Sequence, residues 1–353
     1  MRRWTLIVGL LASMVQPALA FDDLIGFAGI IADNPPSPYV FDYTAPLGGF
    51  AADSATGFGP SDYALGGALT SDTNPDPVTG VDFSEVTAIF STGEPPRTIT
   101  VLVGEPGFAD SAPEVLLARD FSKSDIAGYP VFARGEDYAV DLAAASEPDP
   151  FAKGLGQSQR LALGGDFIMR SAGWPELETA LGALNSPSMQ ANLWAAIFEG
   201  LRSSSNHEGH VDLASGWLAT AFLDTGLDID LLADPASVLK SQSKATAPSS
   251  TILFPMAVFA VTQTASTASV QIALPYGDEQ SAELAGKEIG QRLIYHPFTP
   301  SSPRIEVQYA EPYSIAVISI DMPVAEAKAA RDLYARWMAD IYARKFAPLE
   351  IDF

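Results

Sequence analysis

The chain has 353 residues, 43 of them Asp or Glu against 20 Lys or Arg, for a net charge of −23; 47% are hydrophobic and none is cysteine. A chain this long and apolar can bury its own core without staples, and the missing thiols exclude disulfide scaffolds, thiol nucleophiles, iron–sulfur clusters and cysteine zinc sites. The acidity, with no basic stripe to interrupt it, excludes nucleic acid as a partner.

The first twenty residues predict an address. Arg2 and Arg3 form a short basic region, Trp4 to Val15 an apolar stretch, and Ala18-Leu19-Ala20 a small-residue motif of the A-x-A kind. A secretory signal peptide over residues 1–20, cleaved to leave Phe21 first, follows from that pattern. The apolar stretch is shorter than the roughly 20 residues that cross a bilayer, and no later run reaches that length without polar interruption, so no membrane span is expected. An exported chain without disulfides fits a bacterial periplasm or the exterior.

Residues 21–80 are rich in Gly, Pro, Asp and Ala, with Pro35-Pro36-Ser37-Pro38, Gly48-Gly49 and Gly66-Gly67 breaking any periodicity. They predict an irregular N-terminal wrap, anchored by aromatics such as Tyr39, Phe41, Tyr43 and Phe50. A first α+β unit is expected over 81–185. It has strands at Val86 to Phe90 and Thr98 to Val103, a helix at Ser111 to Arg119, and strands at Tyr129 to Ala133 and Tyr138 to Leu142. A further strand pair at Leu161 to Leu163 and Phe167 to Arg170 leads to a helix from Pro175 towards Leu184.

A helical segment and linker are expected over 186–250. Ser186-Pro187 is a start signal, and Met189, Leu193, Trp194, Ile197, Phe198 and Leu201 recur at helical spacing. A second helix is read through Leu213, Trp217, Leu218 and Phe222, and Ser241 to Ser250 has linker composition. A second α+β unit over 251–353 follows, with strands at Thr251 to Val261 and Ala268 to Leu274. Asp278 caps a helix carrying Ala282, Ala285, Ile289 and Leu293, strands follow at Arg304 to Tyr309 and Ser314 to Ile320, and a helix from Val324 to Phe346 closes the chain.

Both units read as strand, strand, helix, strand, strand, helix. The texts Asp110-Ser111-Ala112-Pro113-Glu114 and Gln280-Ser281-Ala282-Glu283 open the two central helices. The expected architecture is therefore two tandem, related ferredoxin-like domains of the split βαβ kind, with the helical segment between them.

His207-Glu208-Gly209-His210 followed by Asp212 is the constellation best suited to chemistry. Neutral imidazoles and a carboxylate are good donors for zinc or another divalent cation. The histidines stand at i and i+3 rather than the i and i+4 of a zinc helix, and Gly209 weakens a helix between them. The expected donors are His207, His210 and Asp212, and no other cofactor is expected. Asp72, Asn74, Asp76 and Asp82 resemble a calcium loop, but Pro77 and Phe83 replace the required Gly and Glu.

Ser237 with Lys240 and Ser241 with Lys244 satisfy S-x-x-K without the companion motifs of serine acyl-transfer enzymes. Arg160 displaces the last glycine of G-x-S-x-G around Ser158, and Gly154 and Gly156 lack the third glycine of a dinucleotide fingerprint. Carboxylate pairs such as Glu147 with Asp149, or Asp224, Asp228 and Asp230, are expected by number alone in so acidic a chain. The balance favours a non-catalytic interaction protein of the periplasm or envelope, with another envelope protein as partner. The alternative is an envelope hydrolase or metal-dependent enzyme centred on His207 and His210.

Overall fold

In the computed structural model the described residues are 19–32, 39–47, 49–50, 65–142, 149–152, 156–185, 189–222 and 253–350. Their β-branched and aromatic runs form twelve strands. These are β1 (Tyr39–Thr44), β2 (Val86–Thr92), β3 (Ile99–Gly104), β4 (Ser122–Ile126), β5 (Tyr129–Arg134), β6 (Gln159–Leu163), β7 (Phe167–Ser171), β8 (His210–Leu218), β9 (Met256–Gln263), β10 (Thr267–Tyr276), β11 (Arg304–Ala310) and β12 (Tyr313–Pro323). All twelve join one sheet in the order β11-β12-β10-β9-β8-β1-β2-β3-β7-β6-β5-β4. Every neighbouring pair is antiparallel.

Seven helices occur among the described residues: α1 (Leu19–Ala32), α2 (Gly66–Leu69), α3 (Ala112–Ala118), α4 (Trp174–Asn185), α5 (Met189–Ser204), α6 (Glu279–Tyr295) and α7 (Ala327–Tyr342). Their ends follow local chemistry. The Asp278 carboxylate accepts the Ser281 amide at 2.8 Å to cap α6, and Glu176 lies in the first turn of α4, where the helix dipole favours a negative charge.

The helices cover both faces of the sheet. On one face α1, α4 and α5 bury Leu24, Leu177, Trp194 and Phe198 against Phe41, Phe90, Val101, Val258 and Val317. On the other, α6 and α7 pack Ile289, Leu293 and Trp337 on Phe259, Ile272 and Ile318. Farther along that face, Phe83, Phe108 and Leu116 cover Ile89, Leu102, Phe132 and Leu161. Burial on both sides explains why all eight residues of β9 are buried and why its text shows no polar alternation.

The expected pair of ferredoxin-like domains is corrected to a single mixed α+β body on one continuous sheet. The strand that joins the halves is β1, which pairs with β2 through Asp42↔Ser91 and with β8 through Asp42↔Ser215. It lies in the stretch expected to be an irregular wrap, as does α1 beyond its first two residues, with Leu24, Phe27, Ala28 and Ile31 buried at helical spacing. The stretch read as a second helix through Leu213 and Trp217 is strand β8. Its apolar residues four apart suit either element, and Gly216 lets the Phe41 ring pass close to the strand.

Of the strand expected at Tyr138 to Leu142, only a bridge from Val140 to Gln157 forms, and β4, built from polar Ser122-Lys123-Ser124-Asp125, was not anticipated. Ser186-Pro187 and the linker over 241–250 lie outside the described residues. Among the described residues no helix is long and apolar enough to cross a membrane.

Candidate functional site

His210 opens β8, and its Nε2 lies 2.5 Å from the Ala45 carbonyl oxygen and 3.7 Å from Asp212 Oδ1. Asp212 is buried. It accepts the Leu47 amide at 3.2 Å and the Gln263 side-chain amide, and pairs with Arg331 of α7 at 3.0 Å. Burial pushes its carboxyl up, and His210, Leu47 and Gln263 oppose that only in part. His207 stands on the preceding turn, exposed and with a φ of 60°. The structure thus brings His210 and Asp212 together and leaves His207 outside their network. Among the described residues no group of three or more His, Asp or Glu converges in a way that would hold a metal ion.

Tyr43 extends this region onto the neighbouring strand. It is fully buried and feels the charges of both Asp23 and Asp212, which with burial hold its phenol in the neutral form. Asp23, on the first turns of α1, has its carboxyl raised to about 6, first by burial and then by Asp166 and Asp22. The Tyr43 hydroxyl lies near enough to lower that carboxyl slightly but makes no hydrogen bond of normal geometry. The sequence marks Tyr43 only as an aromatic anchor and does not mark Asp23, because the expectation of an irregular wrap contains neither α1 nor β1.

A second polar cluster lies beneath the first half of the sheet. Asp149 is buried and receives Arg119 Nη2 at 2.7 Å, the Gln159 side-chain amide at 2.9 Å and the Phe151 backbone amide at 2.9 Å, with Arg134 at 4.0 Å. Arg170 of β7 is 2% exposed; its Nη2 donates to Gln157 at 2.9 Å and its Nε has no partner. Burial pulls its guanidinium down to about 10. On the opposite face Arg160 is also buried, pairs with Asp137 at 2.7 Å and lies 5.2 Å above the Trp174 ring.

Cross-strand register strings Ser215, Asp42, Ser91, Thr100 and Arg170 into one buried polar row over five adjacent strands. The available signal was an arginine inside an apolar strand text, as in Phe167-Ile168-Met169-Arg170.

The other sequence motifs are absorbed locally. Asp76 Oδ1 accepts the Thr79 amide at 2.7 Å, the Thr79 hydroxyl at 2.8 Å and the Val78 amide at 3.1 Å, while Asp82 accepts the Ser84 amide at 3.0 Å. Asp72 and Asn74 are exposed. The Ser158 hydroxyl donates to the Ala172 carbonyl at 2.9 Å. Glu147, Asp224, Asp228, Asp230 and both S-x-x-K pairs lie outside the described residues.

Large apolar side chains are exposed at the end of α6. Ile294 and Tyr295 are followed by Phe298, over which Arg336 stacks at 4.5 Å. No protein-family model matches the chain, and no curated protein matches it. Among solved structures, three crystal forms of TP0453 are similar at 9%, 10% and 8% identity. They cover 86%, 86% and 89% of this chain and 95%, 94% and 98% of their own, with TM-scores of 0.34, 0.34 and 0.35. A likeness of that size carries no argument about this chain.

Proposed function

We propose that this chain is an exported, non-catalytic interaction protein of the bacterial cell envelope, acting through contact with another envelope protein. The leader-like N-terminus and the cysteine-free composition support export. One contrast carries the interaction reading. The side chains best suited to chemistry are engaged with one another inside the fold, as Asp212 is by Gln263 and Arg331 and Asp149 by Arg119 and Gln159, whereas Ile294, Tyr295 and Phe298 stand in water. Clustered apolar surface of that kind marks contact sites.

A second reading, a hydrolase of the same compartment, draws on one observation. Asp23, with its carboxyl raised to about 6, and Asp212, paired with His210, both act on the buried Tyr43 phenol, a grouping suited to proton transfer.

A photo-crosslinking residue at Tyr295, introduced in the native envelope, distinguishes the two. The expected result is one discrete adduct with a second envelope protein, lost when Phe298 is changed to Ser. The His207→Ala/His210→Ala double variant is expected to give the same adduct and an unchanged metal content. Absence of any adduct, together with a stoichiometric metal or a hydrolytic activity that the double variant loses, would overturn the interaction reading.

A further inference from the structure

The sheet ends in two edges of different character. Edge strand β4 has five residues, four of them exposed, and it carries the charges of Lys123 and Asp125. Such charges are a common guard against edge-to-edge association. Edge strand β11, with the text Arg304-Ile305-Glu306-Val307-Gln308-Tyr309-Ala310, has no lysine, no proline and no bulge in its seven-residue pairing with β12. Its two charged residues are engaged within the subunit: Arg304 bonds Asp321 at 2.8 Å and pairs with Glu306. Among the described residues its outer backbone has no hydrogen-bond partner, and Tyr309 is 74% exposed. An edge with no lysine, proline or bulge to guard it is a template for another strand.

We infer that β11 is the interface for a second copy of this chain, pairing antiparallel with its counterpart about a two-fold axis at Val307 and continuing the sheet through the dimer. The register is self-complementary. It sets Ile305 against Tyr309 of the other copy twice, an aromatic against a β-branched side chain. Glu306 falls opposite Gln308, Val307 opposite itself and Arg304 opposite Ala310, so no like charges face each other. A shift of one residue either way breaks this match: centring on Glu306 sets two carboxylates face to face, and centring on Gln308 sets Glu306 against Ala310 and leaves Ile305 unpaired.

A two-fold contact must present the same patch on both sides, and this strand does so at one register. The flanking elements enlarge the contact, because α5 and α6 lie on the two faces of the β12–β11 edge and Leu284 of α6 is exposed. The strong net negative charge of each copy opposes association over distance, so the dimer is expected to tighten with added salt.

The absence of cysteine makes the test direct. Ile305→Cys and Tyr309→Cys chains are prepared separately, then treated with a short bismaleimide alone and as a mixture. The register predicts efficient cross-linking in the mixture and little in either chain by itself. Sedimentation of the unmodified exported chain should show a concentration-dependent dimer that strengthens from low to moderate salt. Tyr309→Lys, a change at an exposed position, should weaken it on the order of tenfold through its two symmetric contacts. A monomer at all concentrations and salts would overturn the inference. So would a dimer that Tyr309→Lys leaves intact, or one whose cross-links follow another register, including pairing with a different extended segment.

Discussion

Replacing Asp23 by Asn tests the electrostatics of the α1–β1 contact. The folded carboxyl is raised from 3.8 to about 6, chiefly by burial. Two units correspond to roughly 3 kcal/mol at about 1.4 kcal/mol per unit, and the part of Asp23 that reaches water reduces the expected figure to about 2 kcal/mol. The sign follows from linkage. The fold favours protonated Asp23, so its contribution is complete below the unfolded value and is lost as pH rises through about 6. An amide mimics the protonated acid and never ionises. Urea unfolding at constant ionic strength from pH 4 to pH 8 should therefore show equal stability near pH 4. A gap in favour of the variant should open progressively above pH 4 and reach its full value of about 2 kcal/mol by about pH 6 to 7. A gap that is independent of pH, or one favouring the wild type at pH 8, would refute the placement of Asp23 in a desolvated, acidic surrounding.

Two further substitutions probe the sheet itself. Arg170→Met keeps the buried stem and removes a guanidinium that burial has pulled down to about 10. The relief of roughly 3 kcal/mol offsets the loss of one hydrogen bond to Gln157, worth roughly 1–3 kcal/mol. Chemical denaturation should place it within about 1 kcal/mol of wild type, whereas Arg170→Ala should lose roughly 2–4 kcal/mol to a cavity; equal damage from both would mean that the charge is held by more than Gln157. Gly216→Ala puts a Cβ 2.2 Å from Phe41 Cε1, in a ring packed against Trp194 and Phe198. Thermal melting should register a loss of roughly 1–3 kcal/mol, and an unchanged midpoint would show that the ring has room to move.

Much of the local structure was legible because it rests on local rules. The cap at Asp278, the apolar stripe Ala282-Ala285-Ile289-Leu293 and the hairpins β9–β10 and β11–β12 are all written within a few residues of where they form. The same holds for α5, whose Leu193, Trp194, Ile197 and Leu201 mark one buried face.

The joining of the halves was not legible. β1 meets β8 across about 170 residues of sequence, in pairs such as Asp42↔Ser215, and no local pattern announces that partner. Gly and Pro around β1 also masked its alternation. The pairing of His210 with Asp212 is written in their i, i+2 spacing only where the segment is a strand, and the apolar residues four apart in β8 fit a helix equally well. Arg170 was hidden for a different reason: its burial depends on β3 and β6 lying beside it, which sequence spacing does not reveal.

Whether the single sheet is also a single cooperative unit turns on β1. It is the only strand of the described residues that pairs with both β2 and β8, so every ladder between the halves passes through it. The layer of α1, α4 and α5 crosses the same junction, packing Phe27 against Phe90 on one side and α5 against β10 and β12 on the other. Tryptophans report on the two sides separately: Trp174 begins α4 over the first half, and Trp337 is buried in α7 over the second. Variants retaining only one of these two, with the other tryptophans changed to Phe, should unfold in urea with coincident midpoints and equal m-values. Tyr43→Pro, which removes a backbone donor between two ladders, should lower both midpoints together. Two separated transitions in the parent, or a Tyr43→Pro chain in which the Trp337 side keeps its midpoint, would mean that the halves are independent domains despite their shared sheet.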